Sequence, residues 1–183
     1  NGRFGNNDGL VNAGEDDDIP DYRKCKYCPT GYYQNEKGSR DVTDCKIAAQ
    51  GKFAPALQSV LASICPKGFI SEPGSDACNP CDPGFYQPQT QQRFCKVVSA
   101  GYFTGSKGSF EQSKCPKGKY GRSSSRIACD DCPTGRYNDE LGIVDSGECK
   151  DCIAGTYNDA HGLSSISQCK KCSVGRYSDT GKR

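Results

Sequence analysis

The sequence has 183 residues and a formal net charge of +2, with 14 cysteines, one histidine, no tryptophan and no methionine. At 34% apolar residues it cannot bury one large core, so covalent staples must limit the freedom of the unfolded chain. Nothing in the charge balance suggests a nucleic-acid binder, and no apolar run is long enough for insertion across a bilayer.

Cysteine at this density approaches that of a disulfide scaffold. Disulfides persist in oxidising compartments, so the expected setting is extracellular, secreted or at the cell surface. The chain starts at Asn1 without a methionine, which suggests a processed product or a segment of something longer.

Residues 1–25 read as half of a repeat with an acidic loop. Gly2 and Phe4 in NGRF match Gly175 and Tyr177 in VGRY. Within residues 1–22, Asp8, Glu15, Asp16, Asp17, Asp18 and Asp21 face only one basic residue, Arg3. Their spacing is not that of a calcium loop. Cys25 is a closing cysteine without an opener.

Residues 26–171 read as eight tandem repeats. Openers fall at Cys28, Ala48, Cys65, Cys81, Val98, Cys115, Cys132 and Cys152, spaced 16, 17 or 20 residues apart. A glycine stands three places after every opener, from Gly31 to Gly175. An aromatic follows two places later, except at Ile70, where Phe69 comes one place early. Such fixed self-similarity marks a repeat architecture.

Closers lie three residues before the next opener. Two repeats lack cysteine, and each lacks both members of one pair: Ala48 with Ala62, and Val98 with Gln112. Joint loss predicts that opener and closer of one repeat are bonded. The expected bonds are Cys28–Cys45, Cys65–Cys78, Cys81–Cys95, Cys115–Cys129, Cys132–Cys149 and Cys152–Cys169. Each closes a loop whose chain entropy is worth about 3 kcal/mol. The competing reading takes Cys129, Cys132, Cys149 and Cys152 as a zinc set. That set strands the solitary cysteines, so the ladder is preferred and no cofactor is expected.

Between opener and closer each repeat reads as a short β-hairpin. The glycine suits positive φ or a close approach by the neighbouring repeat. The aromatic starts a strand that should lie over the next disulfide. Turns are expected at 35–38, 138–142, 158–162 and 178–181. The fold class is therefore small, disulfide-rich β: an elongated rod of tandem hairpins with little helix. Each repeat should touch only its neighbours. Eight to nine repeats span on the order of 80 Å at about 5 Å per strand.

Residues 47–64 break the pattern. Leu57, Val60, Leu61 and Ile64 follow helical spacing after Pro55, predicting a short turn near 55–63. They read either as a local cluster replacing the missing bond or as a docking patch. Residues 172–183 are a second half-repeat: Cys172 is an opener without a closer. The basic tail ends in Lys182 and Arg183.

The phrase CxxCPxGxY, closed by a cysteine 14–17 residues on, resembles the ephrin-receptor-like cysteine-rich repeat. The resemblance is best from Cys115 to Tyr177. It implies a secreted β-rich rod of the kind found in receptor ectodomains, adhesins and matrix proteins, with no catalytic residues. An enzyme is not expected: His161 is the only histidine, which leaves no Ser-His-Asp set.

Two functions are expected from these observations. The first is a structural subunit or segment of a fibre, surface appendage or matrix. Its partners are copies of itself, or flanking repeats of a longer chain. Cys25, Cys172, Asp16, Asp17, Asp18, Lys182 and Arg183 are the inter-subunit candidates, because acidic head and basic tail are complementary. The second is the ligand-binding or stalk region of a receptor or adhesin. No N-glycosylation sequon occurs, whereas Thr90, Ser123–Ser125, Ser164 and Ser165 are candidates for O-linked glycans.

Overall fold

The computed structural model describes residues 3–5, 25–124 and 127–179. Among them are nine two-stranded antiparallel sheets, each joining strands consecutive in the chain. The pairs are β1 (Arg3–Gly5) with β2 (Cys25–Tyr27), β3 (Tyr32–Tyr33) with β4 (Lys46–Ile47), and β5 (Lys52–Phe53) with β6 (Ser63–Ile64). Then follow β7 (Phe69–Ile70) with β8 (Asn79–Pro80), β9 (Phe85–Tyr86) with β10 (Lys96–Val97), and β11 (Tyr102–Phe103) with β12 (Ser113–Lys114). The last are β13 (Lys119–Tyr120) with β14 (Asp130–Asp131), β15 (Arg136–Tyr137) with β16 (Lys150–Asp151), and β17 (Thr156–Tyr157) with β18 (Lys170–Lys171).

One register serves them all. The residue four places after an opener faces the residue just before the next opener. Tyr32 faces Ile47, and Arg136 faces Asp151. The first pair keeps the rule: Arg3 faces Tyr27 and Phe4 faces Lys26. Two-residue strands cannot hold a hairpin alone, so the sheets follow from packing at the openers.

The openers are the core. Cys28, Ala48, Cys65, Val98, Cys115 and Cys132 are fully buried. Small side chains suit this position because successive repeats converge on it. Tyr120 packs on the cluster of Cys132, Ile143 and Cys149, and so lies over the disulfide of the following repeat. By contacts the chain divides into two compact units. One comprises Asn1–Pro80 with Gln89–Cys95, the other Cys81–Pro88 with Lys96–Arg183.

The three repeats with 20-residue spacing each insert a 3-10 turn before the closer, at Val42–Asp44, Ser146–Glu148 and Ile166–Gln168. Each begins with a reciprocal capping box, from Asp41 to Asp44, Asp145 to Glu148, and Ser165 to Gln168. The box satisfies backbone donors that a short turn leaves open. Residues 55–63 hold no helix. Ser59 N–H donates to Ala56 C=O across a turn, and Gln58 has a φ of 75°. The short turn expected near 55–63 is therefore present but not helical, and Ser63–Ile64 beyond it pairs with Lys52–Phe53.

Candidate functional site: the joint between repeats

The joint is built from four positions of the phrase. Cys28–Cys45, Cys65–Cys78, Cys115–Cys129, Cys132–Cys149 and Cys152–Cys169 are bonded, with Cα–Cα separations of 5.7–6.0 Å. Cys81 and Cys95 are also disulfide-bonded. Cys129, Cys132, Cys149 and Cys152, grouped by zinc-like spacing, are divided among three disulfides.

The second position is the glycine. Its N–H donates to the next repeat, as Gly118 N to Asn138 O at 2.8 Å, and its C=O accepts from the next opener, as from Cys132 N at 2.8 Å. It also lies beneath the turn of the repeat two places on. A Cβ at Gly118 would fall 2.2 Å from Gly162 O, and one at Gly31 would fall 2.0 Å from Gly74 O. The expectation that repeats touch only their neighbours is therefore corrected. Because glycine has no Cβ, a carbonyl can descend far enough to reach the second neighbour.

The third position is the turn. Its N–H donates to the opener of the preceding repeat, as Gly142 N to Cys115 O and Gly162 N to Cys132 O. The fourth position is the residue after the aromatic, which the sequence reading passed over. Gln34, Ser71, Gln87, Thr104, Asn138 and Asn158 stand there, polar yet no more than 5% exposed. Where these side chains are short they staple one repeat to the last. Ser71 Oγ donates to Lys52 O at 2.8 Å, Thr104 Oγ1 to Phe85 O at 3.3 Å and Asn138 Nδ2 to Lys119 O at 3.4 Å. A buried polar group is retained only when so paired.

Residues 68–115 match the family described as tyrosine-protein kinase ephrin type A/B receptor-like. That stretch is similar to the ephrin-receptor-like cysteine-rich repeat. The chain is similar to mouse "Sushi, von Willebrand factor type A, EGF and pentraxin domain-containing protein 1", at 28% identity over 130 residues, covering 67% of this chain and 4% of the relative. Human "Signal peptide, CUB and EGF-like domain-containing protein 2" is 27% identical over 129 residues, 65% of this chain and 13% of that protein. Mouse "Signal peptide, CUB and EGF-like domain-containing protein 3" is 29% identical over 141 residues, 64% of this chain and 14% of that protein. The chain thus corresponds to a small part of each.

Within the array, the repeat opened by Val98 shows what replaces a disulfide. Gln112 Oε1 accepts from Ser99 N at 2.9 Å, and its Nε2 donates to Ser99 Oγ at 3.4 Å. The side chain bridges the closing position to the residue after the opener by hydrogen bonds. The double variant Val98→Cys with Gln112→Cys should form a new bond and stabilise the chain by up to about 3 kcal/mol. Non-reducing peptide mapping and denaturant unfolding check this.

Exposed charges clasp the longer repeats. Lys150 donates to Asp139 Oδ1 at 2.7 Å and Glu140 Oε1 at 2.8 Å, which raises its own pKa and lowers that of Asp139. The cap carboxyls are held low as well, Asp41 by the N–H of Thr43 and Asp145 by that of Gly147 and then by Arg122. Folded values below the ordinary ~3.9 of aspartate mean that this stabilisation is present above that pH. It fades as pH falls through the lowered folded values. Amide resonances of Thr43 and Gly147 should shift in acid, whereas the turn capped by Ser165 should not; NMR titration reads both.

The remaining predicted residues are scattered. Cys25 and Cys172 are unbonded and half-buried. Asp16, Asp17, Asp18, Lys182 and Arg183 lie outside the described residues. Leu57, Val60, Leu61 and Ile64 are 55%, 43%, 65% and 52% exposed. They do not stand in for the missing bond, since Ala48 and Ala54 hold the buried places of that repeat.

Proposed function

We propose that the chain is a non-enzymatic extracellular structural element: a rod-like subunit or segment of a fibre, surface appendage or matrix, assembling head to tail. The observation that carries this reading is the joint itself. The same hydrogen bonds recur at successive repeats, and they spend the backbone on holding neighbours together. The relatives support the extracellular setting, since their names carry EGF, CUB, sushi and signal-peptide elements. No helix among the described residues is long and apolar enough to cross a membrane.

Electron microscopy of the oxidised protein tests the proposal. Filaments that shorten when Cys25 and Cys172 are both replaced by serine are the expected result. Monodisperse single chains in the unsubstituted protein, at all concentrations, refute it. The binding reading keeps one observation in its favour, the exposed run Leu57, Val60, Leu61 and Ile64. Saturable binding of a soluble partner, abolished by charges placed there, would favour it instead.

A further inference from the structure

We propose that the two repeats without a disulfide, opened by Ala48 and Val98, are the extensible links of the array. Under tension each opens as a unit of its own, while the bonded repeats keep their length. This extensibility goes beyond head-to-tail assembly and is independent of it.

The covalent path decides where the chain can lengthen. A load that reaches Cys28 crosses to Cys45 through the disulfide and bypasses the loop between them. It crosses likewise from Cys65 to Cys78, Cys115 to Cys129, Cys132 to Cys149 and Cys152 to Cys169. Cys81 and Cys95 close a further loop. Between Cys28 and Cys169 the backbone itself therefore carries load only in short connectors, such as Cys129 to Cys132, and in two long spans. Those spans are Cys45 to Cys65 and Cys95 to Cys115, each 20 residues. Each holds one unbonded repeat.

The unbonded repeats are built like their neighbours. Lys52 faces Ile64 and Tyr102 faces Lys114, in the register that sets Phe69 against Pro80 in a bonded repeat. Ala48 and Val98 are as fully buried as Cys65 and Cys115. Their joints are whole as well: Gly51 N–H donates to Ser71 C=O at 2.9 Å, and Gly101 N–H to Gly121 C=O at 2.8 Å. Loss of the sulfurs thus leaves the fold unchanged and alters the response to load. Only hydrogen bonds and apolar contacts oppose opening there, which places these repeats at the low end of local stability. Ala48 and Ala62 have no polar side chain with which to bridge opener and closer, whereas Gln112 bonds Ser99. The Ala48 repeat should therefore yield first. The accepting carbonyls of Ser71 and Gly121 lie inside the loops closed by Cys65–Cys78 and Cys115–Cys129. They stay in place as a template on which each link re-forms when tension falls.

Single-molecule stretching of the whole chain, tagged at both ends and kept oxidised, tests this. Two discrete, reversible steps are expected, each releasing up to about 70 Å, at ~3.5 Å per residue. Ala48→Cys with Ala62→Cys should take about 50 Å from one step, and Val98→Cys with Gln112→Cys about 50 Å from the other. The four substitutions together should leave neither step longer than about 20 Å. Extension outside Cys28–Cys169 is common to all four chains and cancels in the comparison. Steps of unchanged length once peptide mapping shows the added bonds overturn the proposal, as does the absence of discrete, repeatable steps in the unsubstituted chain. Failure of either cysteine pair to bond overturns it too, because the shared register requires that they meet. Filament formation is read separately by microscopy, so each idea can fail without the other.

Discussion

Replacing Gly118 by alanine is expected to open the array at that point. The residue has a φ of +82°, and its new Cβ would sit 2.2 Å from a backbone oxygen, Gly162 O. The left-handed conformation alone costs alanine roughly 1–2 kcal/mol. The backbone clash cannot be relieved by a rotamer. The turn at Gly162 must lift, taking with it the bond from Gly162 N to Cys132 O. Each buried group left unpaired adds about 1–3 kcal/mol, so the total should exceed about 3 kcal/mol. Gly155→Ala is the control. Its φ is +78° but nothing lies within 4 Å, so in the single chain it should lose only the conformational part, about 1–2 kcal/mol. Urea unfolding of the two variants side by side decides this. Equal losses would mean that the close approach contributes nothing.

Removing the Cys132–Cys149 bond is the second large effect. The double variant to alanine frees a loop of sequence separation 17, worth about 3 kcal/mol in the unfolded chain. It also empties a site where Cys132 is fully buried and Ile143 and Tyr120 pack. The neighbouring bonds Cys115–Cys129 and Cys152–Cys169 remain, so the loss should be local. Amide exchange should accelerate between about Gly118 and Gly162 and hold steady around Cys65–Cys78, as repeat arrays couple mainly through near neighbours. Uniform loss across the chain would show instead that the array folds as one cooperative body.

The phrase was legible because its landmarks are chemically distinctive. Cysteine and glycine recurred in register, and the paired absences at Ala48/Ala62 and Val98/Gln112 revealed which cysteines belong together. The buried polar position was harder to see. Gln34, Ser71 and Asn138 follow an aromatic and so read as the solvent side of an alternating strand. Their burial comes from the preceding repeat, whose carbonyl they reach. The reach of the glycine to a second neighbour was hidden for a similar reason, since a one-dimensional pattern shows that glycine is needed and not what lies above it. The 3-10 turns were visible in principle. Asp145 and Glu148 form a capping box in sequence, and the 20-residue spacing of those repeats already demanded three extra residues. At residues 55–63 the expected short turn forms, closed by Ser59 N–H to Ala56 C=O, while Ser63–Ile64 goes to the hairpin.

Hydrogen exchange of the oxidised and the reduced chain, each with and without a strong chelator, probes the sulfur staples directly. The amides of Gly118, Gly135 and Cys132, which donate or sit within the joints, should be protected when oxidised, indifferent to chelator, and exchanged freely once the disulfides are reduced. Protection that survives reduction, or that is lost to the chelator alone, would contradict the account.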